Sequence, residues 1–302
     1  MKEETKEIEE NEFINEIILK SSNYDTLVIS GGAVKTFILL GALQYACDNY
    51  LLNEIDKYYA TSGGSMISYL LIIGYTPIEI IIYICTHQVL EKMNNMNLMS
   101  VFDGNGVMSF LYIHEFLEKM TIEKIGFIPT FKDLKDKYNK ELTCVTYNLT
   151  EEKTEYISYK NYPSLPCLIG IRMSSSLPFF FDKFKYGNNY YIDGGVTDNF
   201  AIEEGLRNGR KILGIHNKSS YDYDEYDTSS QLHVIYYFHK IMSIPIQENL
   251  KNKLDKVLTK TNVDYIPLVE KNTSMFNFSI DTKTKLDLFS FGYQEMKNYF
   301  EK

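Results

Sequence analysis

The segment Tyr59-Ala60-Thr61-Ser62-Gly63-Gly64-Ser65-Met66 joins a strand-like stretch to a long apolar run and carries a serine among small residues. A serine hydroxyl is a poor nucleophile in water, so hydrolases mount it on a tight strand-to-helix turn. Small neighbours there let the chain double back and leave the oxygen exposed. Ala60, Gly63 and Gly64 are such neighbours, and Ser62 is the candidate nucleophile. The consensus for this corner is Gly-x-Ser-x-Gly, with Ala60 standing at its first glycine. The same composition also suits an ordinary loop or helix start, so the reading depends on two further stretches. In the first, Ser30-Gly31-Gly32-Ala33-Val34-Lys35-Thr36 follows the apolar run Thr26-Leu27-Val28-Ile29 and precedes a helical pattern. Strand, glycine turn and helix start together direct free backbone N–H groups to one point, which suits negative charge. A plain tight turn is the simpler reading, and a nucleotide P-loop is disfavoured by the spacing of its second glycine and Lys-Ser/Thr pair. In the second, Tyr190-Tyr191-Ile192 ends in Asp193-Gly194-Gly195. A carboxylate at a strand end, with glycines bending the chain away, is well held for work as a base, although a lone Asp-Gly-Gly is also an Asx-type turn.

The elements that must position these residues alternate between strand and helix. Strands are expected at Thr26–Ile29, before Ser62, at Leu142–Leu149, Tyr190–Ile192, Lys211–His216 and Val263–Leu268. Helices are expected over Phe37–Tyr50, Gly106–Met120, Cys167–Ser176, up to about Asn208, within Gln231–Thr259 and over Thr284–Phe300, with a helical turn at Thr130–Leu134. Ile67–Ile84 is the most apolar run, but Gly74-Tyr75-Thr76-Pro77 interrupts it, so it reads as a buried helix, a turn and a second helix from Pro77 rather than a membrane span. Such alternation predicts a mostly parallel sheet covered on both faces. Met93, Met96 and Met99 suit either an adaptable lid or core filling.

Composition narrows the function classes. The chain has 302 residues, 44% hydrophobic and 14% aromatic, enough for a sizeable core. A net charge of −9 argues against a nucleic-acid surface and against a polybasic route to anionic lipid. Cys47, Cys85, Cys144 and Cys167 lack metal or redox spacing and read as buried free thiols in a reducing compartment. The acidic start, Met1 to Glu7, has no apolar core and is not a secretory signal. Glu3–Lys20 has helical apolar spacing, and Tyr221–Asp227 reads as a solvated acidic loop without a calcium-hand pattern.

The three chemical stretches, in this order, resemble the patatin-like phospholipase family. There a Gly-Gly-Gly-x-Lys/Arg-Gly loop precedes a Gly-x-Ser-x-Gly elbow, and an Asp-Gly-Gly or Asp-Gly-Ala lies well downstream. Gly41-Ala42-Leu43, Gly74-Tyr75-Thr76-Pro77, Thr130-Phe131-Lys132-Asp133-Leu134, Met173-Ser174-Ser175-Ser176-Leu177-Pro178 and Val196-Thr197-Asp198-Asn199-Phe200 are similar to further landmarks. The resemblance runs over Tyr24–Gly214 and more loosely over the last helix. It implies a three-layer α/β fold with a central, mostly parallel sheet flanked by helices. It also implies a lipid acyl hydrolase of the phospholipase A or lysophospholipase kind, working with a Ser-Asp dyad and needing neither metal nor cofactor. Carried over, Ser62 attacks the ester carbonyl and Asp193 accepts its proton, then helps water release the fatty acid. Backbone N–H groups at Gly31, Gly32 and Ala33 form the oxyanion hole, with Lys35, Gly64, Gly194 and Gly195 in support. Ala33, Thr36 and Ala60 stand where the family has glycine, so each position must have backbone angles open to other residues.

The resulting expectation is a single domain over 1–302, with a helical extension at 1–23, a catalytic core at 24–214 and C-terminal elements at 215–302. Its substrate would be a phospholipid or other acyl lipid at a lipid surface, met from the cytoplasm without a transmembrane segment or a nucleic-acid partner. Two rivals remain open. A Ser-His-Asp esterase or thioesterase would draw on His216, His233 or His239, which follow the acid in the order seen in α/β-hydrolases. A lipid-binding protein that keeps the fold without hydrolysis would account for the three replaced glycines.

Overall fold

The computed structural model describes residues 24–93, 97–103, 105–218 and 233–301. The leading helix expected within 3–20, Met96 and the acidic run 221–227 lie outside the described residues. In chain order the elements are β1 (Thr26–Ile29), α1 (Thr36–Asp48), β2 (Lys57–Thr61), α2 (Gly63–Ile72), α3 (Pro77–His87), α4 (Leu111–Ile125) and α5 (Phe131–Tyr138). They continue with β3 (Glu141–Asn148), β4 (Lys153–Ile157), α6 (Cys167–Ser174), β5 (Phe184–Tyr186), β6 (Asn189–Asp193) and α7 (Ile202–Asn208). The last are β7 (Ile212–Asn217), α8 (His233–Val257), β8 (Val263–Leu268) and α9 (Thr282–Phe300).

The strands form one eight-stranded sheet in the order β5-β6-β3-β2-β1-β7-β8, with β4 also paired to β3. The pairs from β3 to β8 along this order are parallel, whereas β4 and β6 run antiparallel to β3, and β5 antiparallel to β6. Side-chain alternation buries both faces. Leu27, Ile29, Tyr58, Leu142, Cys144, Leu213 and Ile215 enter one core, while Val28, Tyr59, Val145 and Ile212 enter a second with Phe200 and Ile202. The fold is the α/β sandwich of helix, sheet and helix that the sequence pattern predicts.

Local chemistry explains several boundaries. Thr76 and Glu79 form a capping box, with Pro77 at the first position of α3, and Thr130 and Asp133 do the same for α5. The apolar run Ile67–Ile84 breaks as expected: α2 and α3 are bent by 117°, and Ile67, Tyr69, Leu70 and Ile72 of α2 are buried in the core. Among the described residues no single helix is long and apolar enough to cross a membrane.

The helix expected from Gly106 starts at Leu111 instead. The N–H groups of Gly106, Val107 and Met108 donate to Asp182 Oδ1 and to the carbonyls of Phe179 and Phe180, at 2.6, 2.9 and 2.9 Å, which lays this segment alongside the chain at 179–182. Two strands escape the sequence pattern. β4 carries Lys153 and Glu155 among its five residues, as suits an edge strand, and β5 has only three residues. Cys144 and Cys167 are buried free thiols, but Cys47 and Cys85 are only half-buried. Of these methionines Met93 is buried, as core filling requires, and Met99 is 69% exposed.

Candidate active site

Ser62 occupies a sharp turn between β2 and α2, at φ 55° and ψ −127°. A side chain rarely adopts such angles, and the surrounding structure must enforce them. The Ser62 N–H donates to Ser174 Oγ at 2.9 Å, and its carbonyl accepts the Ser65 N–H at 2.8 Å. Ser65 Oγ in turn donates to the Ala60 carbonyl at 3.1 Å and lies 3.0 Å from Ser174 Oγ. A Cβ on Gly64 would come within 2.6 Å of the Ser30 carbonyl, so only glycine lets α2 approach the loop after β1 this closely.

β3 acts as a common ruler for the two predicted catalytic groups. β2 and β4 both pair with Cys144 and Val145 and so occupy opposite edges of β3. β6 pairs with Thr146–Asn148, which β4 also does, and therefore lies on the edge that β2 has just vacated. Thr61 faces Val145, and Asp193 faces the next residue, Thr146. The serine following one strand and the acid ending another thus meet end to end. Thr146 Oγ1 ties this junction, hydrogen bonding to the carbonyls of Met173 at 3.0 Å and Ile192 at 2.9 Å.

Asp193 is 2% exposed. Its Oδ1 accepts the Gly195 N–H at 2.7 Å, while the buried Oδ2 has no hydrogen-bond partner among the described residues. Burial pushes its pKa up to about 6, partly offset by the Ser62 side chain and the Gly195 N–H. Gly194 is buried against the Val145 carbonyl.

The loop after β1 runs from Gly31 into a 3-10 turn at Ala33–Lys35. The Gly31 N–H is engaged by Asn199 Oδ1 at 3.1 Å, whereas those of Gly32 and Ala33 make no hydrogen bond to the described residues. A Cβ on Gly31 would come within 2.7 Å of Asn199 Oδ1 and 3.0 Å of Ser62 Cβ, which measures how tightly this loop abuts the elbow. Ala33 takes φ 44°. Distant residues fix the loop: the Val34 N–H donates to the Met275 carbonyl at 3.0 Å, and Asn217 Nδ2 donates to the Lys35 carbonyl at 2.9 Å. Lys35 itself is buried, donating to the Glu270 carbonyl and lying 3.4 Å from Glu270 Oε2. Of the three replaced glycines, only Ala33 needs the left-handed region. Thr36 is helical, and Ala60 lies in β2 outside that region.

Ser62 lies where two cavities meet. The larger, of about 470 Å³, is lined by Gly31, Gly32, Ala33, Ser62, Asp193 and Asn217, by polar residues such as Gln247 and Lys251, and by the inner face of α8. The smaller, of about 120 Å³, shares Ala33 and Ser62 but is otherwise almost wholly apolar, with Phe37, Leu40, Met66, Leu70, Ile80 and Phe116 in its wall.

Two of the candidate histidines line the larger cavity. His216 is buried with Nδ1 3.0 Å from Tyr265 Oη, and desolvation pushes its pKa down to about 3. His239 Nε2 donates to the Pro178 carbonyl at 3.0 Å, and desolvation pushes its pKa down to about 4. The side chain of His233 lies outside the described residues.

Sequence reading had given no role to Ser174, Asn199, Asn217, Glu270 or Met275. Ser174 and Asn199 fall in stretches already singled out as landmarks. Asn217, Glu270 and Met275 carry no local signal.

Comparison with known proteins follows the same lines. Residues 27–206 match the family described as "Patatin-like phospholipase". The "Probable lipid hydrolase 463L" of Invertebrate iridescent virus 6 is 35% identical over 208 residues, covering 67% of this chain and 68% of that protein. The "Uncharacterized protein R571" of Acanthamoeba polyphaga mimivirus is 25% identical over 284 residues, 92% of this chain and 94% of its own length. Among solved structures, VipD from Legionella pneumophila superposes over 92% of this chain and 67% of its own, with TM-score 0.51 and 16% identity, a likeness of fold.

Proposed function

The chain belongs to the patatin-like phospholipase family, and on that footing we propose that it is a lipid acyl hydrolase of phospholipase A or lysophospholipase type, with Ser62 as nucleophile and Asp193 as its base. The observation that carries the reading is the end-to-end meeting of β2 and β6 along one edge of β3, which brings a strained serine and a buried carboxyl to the same cavity. In the proposed sequence Ser62 Oγ attacks the ester carbonyl as Asp193 takes its proton. The N–H groups of Gly32 and Ala33 receive the oxyanion, while that of Gly31 is used to hold the loop to Asn199. Asp193 returns the proton to the departing alcohol and then draws one from the water that hydrolyses the acyl-enzyme. The apolar cavity suits the acyl chain, and the larger, mixed cavity suits the leaving group.

A histidine base has less support. A triad imidazole must bond both serine and carboxylate. His239 Nε2 is committed to the Pro178 carbonyl and His216 Nδ1 to Tyr265, and Asp193 accepts from a backbone N–H instead. The test is incubation with a panel of phospholipids and neutral acyl lipids, with mass spectrometry of the products and mapping of a fluorophosphonate label. Free fatty acid with label on Ser62 is the expected result. Absence of both release and label would remove the proposal.

A further inference from the structure

α8 has two unlike halves. Over its first three turns Ile235, His239 and Met242 face inward, and His239, Met242 and Ile246 line the cavity that holds Ser62 and Asp193. The outward side of the same turns carries Val234, Tyr237, Phe238, Ile241 and Ile244, which are 45–59% exposed. At 100° per residue these five fall within one stripe roughly 120° wide. At Pro245 the stripe ends, and the exposed residues beyond it include Glu248, Asn252, Asp255 and Lys256, of which Glu248 and Asp255 also line the cavity. A helix apolar on both faces belongs in a protein interior, yet one of these faces is open to solvent.

We propose that this outward stripe is the surface by which the protein docks on a zwitterionic or uncharged lipid surface, so that the roof of the catalytic cavity is also the part that enters the lipid. The inference rests on the lipid hydrolase reading and adds to it where the substrate phase is met and by what force. Charge selects the occupant. The chain carries −9 overall, the stripe has no charged member, and the turns after it carry both signs, Glu248 and Asp255 with Lys251, Lys253 and Lys256. The overall negative charge disfavours an anionic membrane, while a zwitterionic one accepts an uncharged apolar face inserted at headgroup depth. The stripe also stacks onto the catalytic body: the Phe238 ring lies 5.6 Å from that of Phe179, and His239 bonds to the neighbouring Pro178 carbonyl, two residues beyond Ser176, whose own carbonyl accepts the Asp193 N–H. Docking through α8 therefore sets the lipid against the element that frames the site.

The chain has no tryptophan, so Ile241→Trp creates a single emitter in the stripe. Titration with phosphatidylcholine vesicles should shift its emission to shorter wavelength, with little change on adding salt and with weaker binding when phosphatidylglycerol is included. Ile241→Glu combined with Ile244→Glu should weaken vesicle binding and vesicle hydrolysis by about tenfold or more, while hydrolysis of a monomeric short-chain ester such as p-nitrophenyl butyrate stays at the parental rate. Ile241 and Ile244 do not line the catalytic cavity, so this monomeric rate reports the site separately from the surface. Vesicle binding unchanged by the double substitution would overturn the inference. So would an equal fall on the monomeric ester, or a parent dimer that the double variant converts to monomer, which would show a second copy to be the occupant. A parent inert on the monomeric ester that still binds vesicles through the stripe would remove the hydrolase reading and leave the docking surface standing.

Discussion

The turn after β1 and the turn after β2 leave adjacent parallel strands, and each holds a non-glycine residue in the left-handed region, Ala33 at φ 44° and Ser62 at φ 55°. Their supports differ. The elbow at Ser62 is closed mainly by its own helix, through the Ser65 N–H and Ser65 Oγ, with outside ties to Ser174 and, from Thr61 Oγ1, to the Asp198 carbonyl. The loop at Gly31–Lys35 is held from outside by Asn199, Asn217, Glu270 and Met275. A nucleophile can be specified by a short motif because its geometry is local. A pair of backbone donors aimed at a future oxyanion must be held by whatever the rest of the fold brings near it.

The sharpest way to break this comparison is to remove the chemistry and keep the frame. Ser62→Ala and Asp193→Asn should each lower kcat by about 10⁴-fold or more, while substitution of His216 or His239 by Gln in a folded variant should leave most of the rate. The pH profile gives a second reading. Asp193 must be ionised to act as a base, so kcat/KM should rise through about pH 6 and level off above it. An imidazole held at about 3 or 4 would put the acid limb far lower. Stability runs the other way. The folded state holds the Asp193 proton more tightly than the unfolded chain, whose carboxyl titrates near 3.8, so stability falls as pH rises from about 4 through 6. Above that window the buried carboxylate costs about 3 kcal/mol, and Asp193→Asn should raise the unfolding midpoint at pH 7 but not at pH 4. A collapse of rate in a folded histidine variant, with Asp193→Asn active, would overturn the dyad.

The same contrast explains what the sequence disclosed. Strand periodicity and glycine corners reveal β1, β2, β3, β6 and β7, because alternation of buried faces and sharp turns are written in neighbouring residues. The charged edge strand β4 and the three-residue β5 lack that alternation and are visible only through their pairing. Ser62 and Asp193 were legible as candidates, but their adjacency depends on successive residues of β3, Val145 and Thr146, which bear no motif. Glu270 carries no local signal, and its part in the site is visible only through Lys35, buried beside it.

A smaller effect should separate the two supports. Asn199→Ala frees the Gly31 N–H from its acceptor and loosens the donor loop, so kcat should fall by about 10- to 100-fold with KM and unfolding midpoint little changed. Ser174→Ala removes the shared partner of the Ser62 N–H and of Ser65 Oγ and should cost about 1–2 kcal/mol of stability. Kinetics and urea unfolding on both variants check the split. Loss of stability alone from Asn199→Ala would show that the loop is held no differently from the elbow.

The finest distinction lies in the replaced glycines. Both Ala33→Gly and Ala60→Gly move the chain toward its family's usual residue, yet the backbone asks different things of the two positions. Ala33 sits at φ 44°, where a side chain costs about 1 kcal/mol, and glycine would release that strain while giving the unfolded chain more freedom by 0.4–1 kcal/mol, figures of order-of-magnitude size. The two terms nearly cancel, so Ala33→Gly should shift stability by less than about 0.5 kcal/mol. Ala60 is fully buried in β2, facing Ile29 on one side and Cys144 on the other, and lies outside the left-handed region. Glycine there gains nothing from relief, adds unfolded-state entropy and deletes a packed methyl, so Ala60→Gly should destabilise by about 1–2 kcal/mol. Urea midpoints measured side by side test this directly. Equal losses at both positions would mean that the positive φ of Ala33 stores no strain, and that the turn after β1 is as locally determined as the elbow it faces.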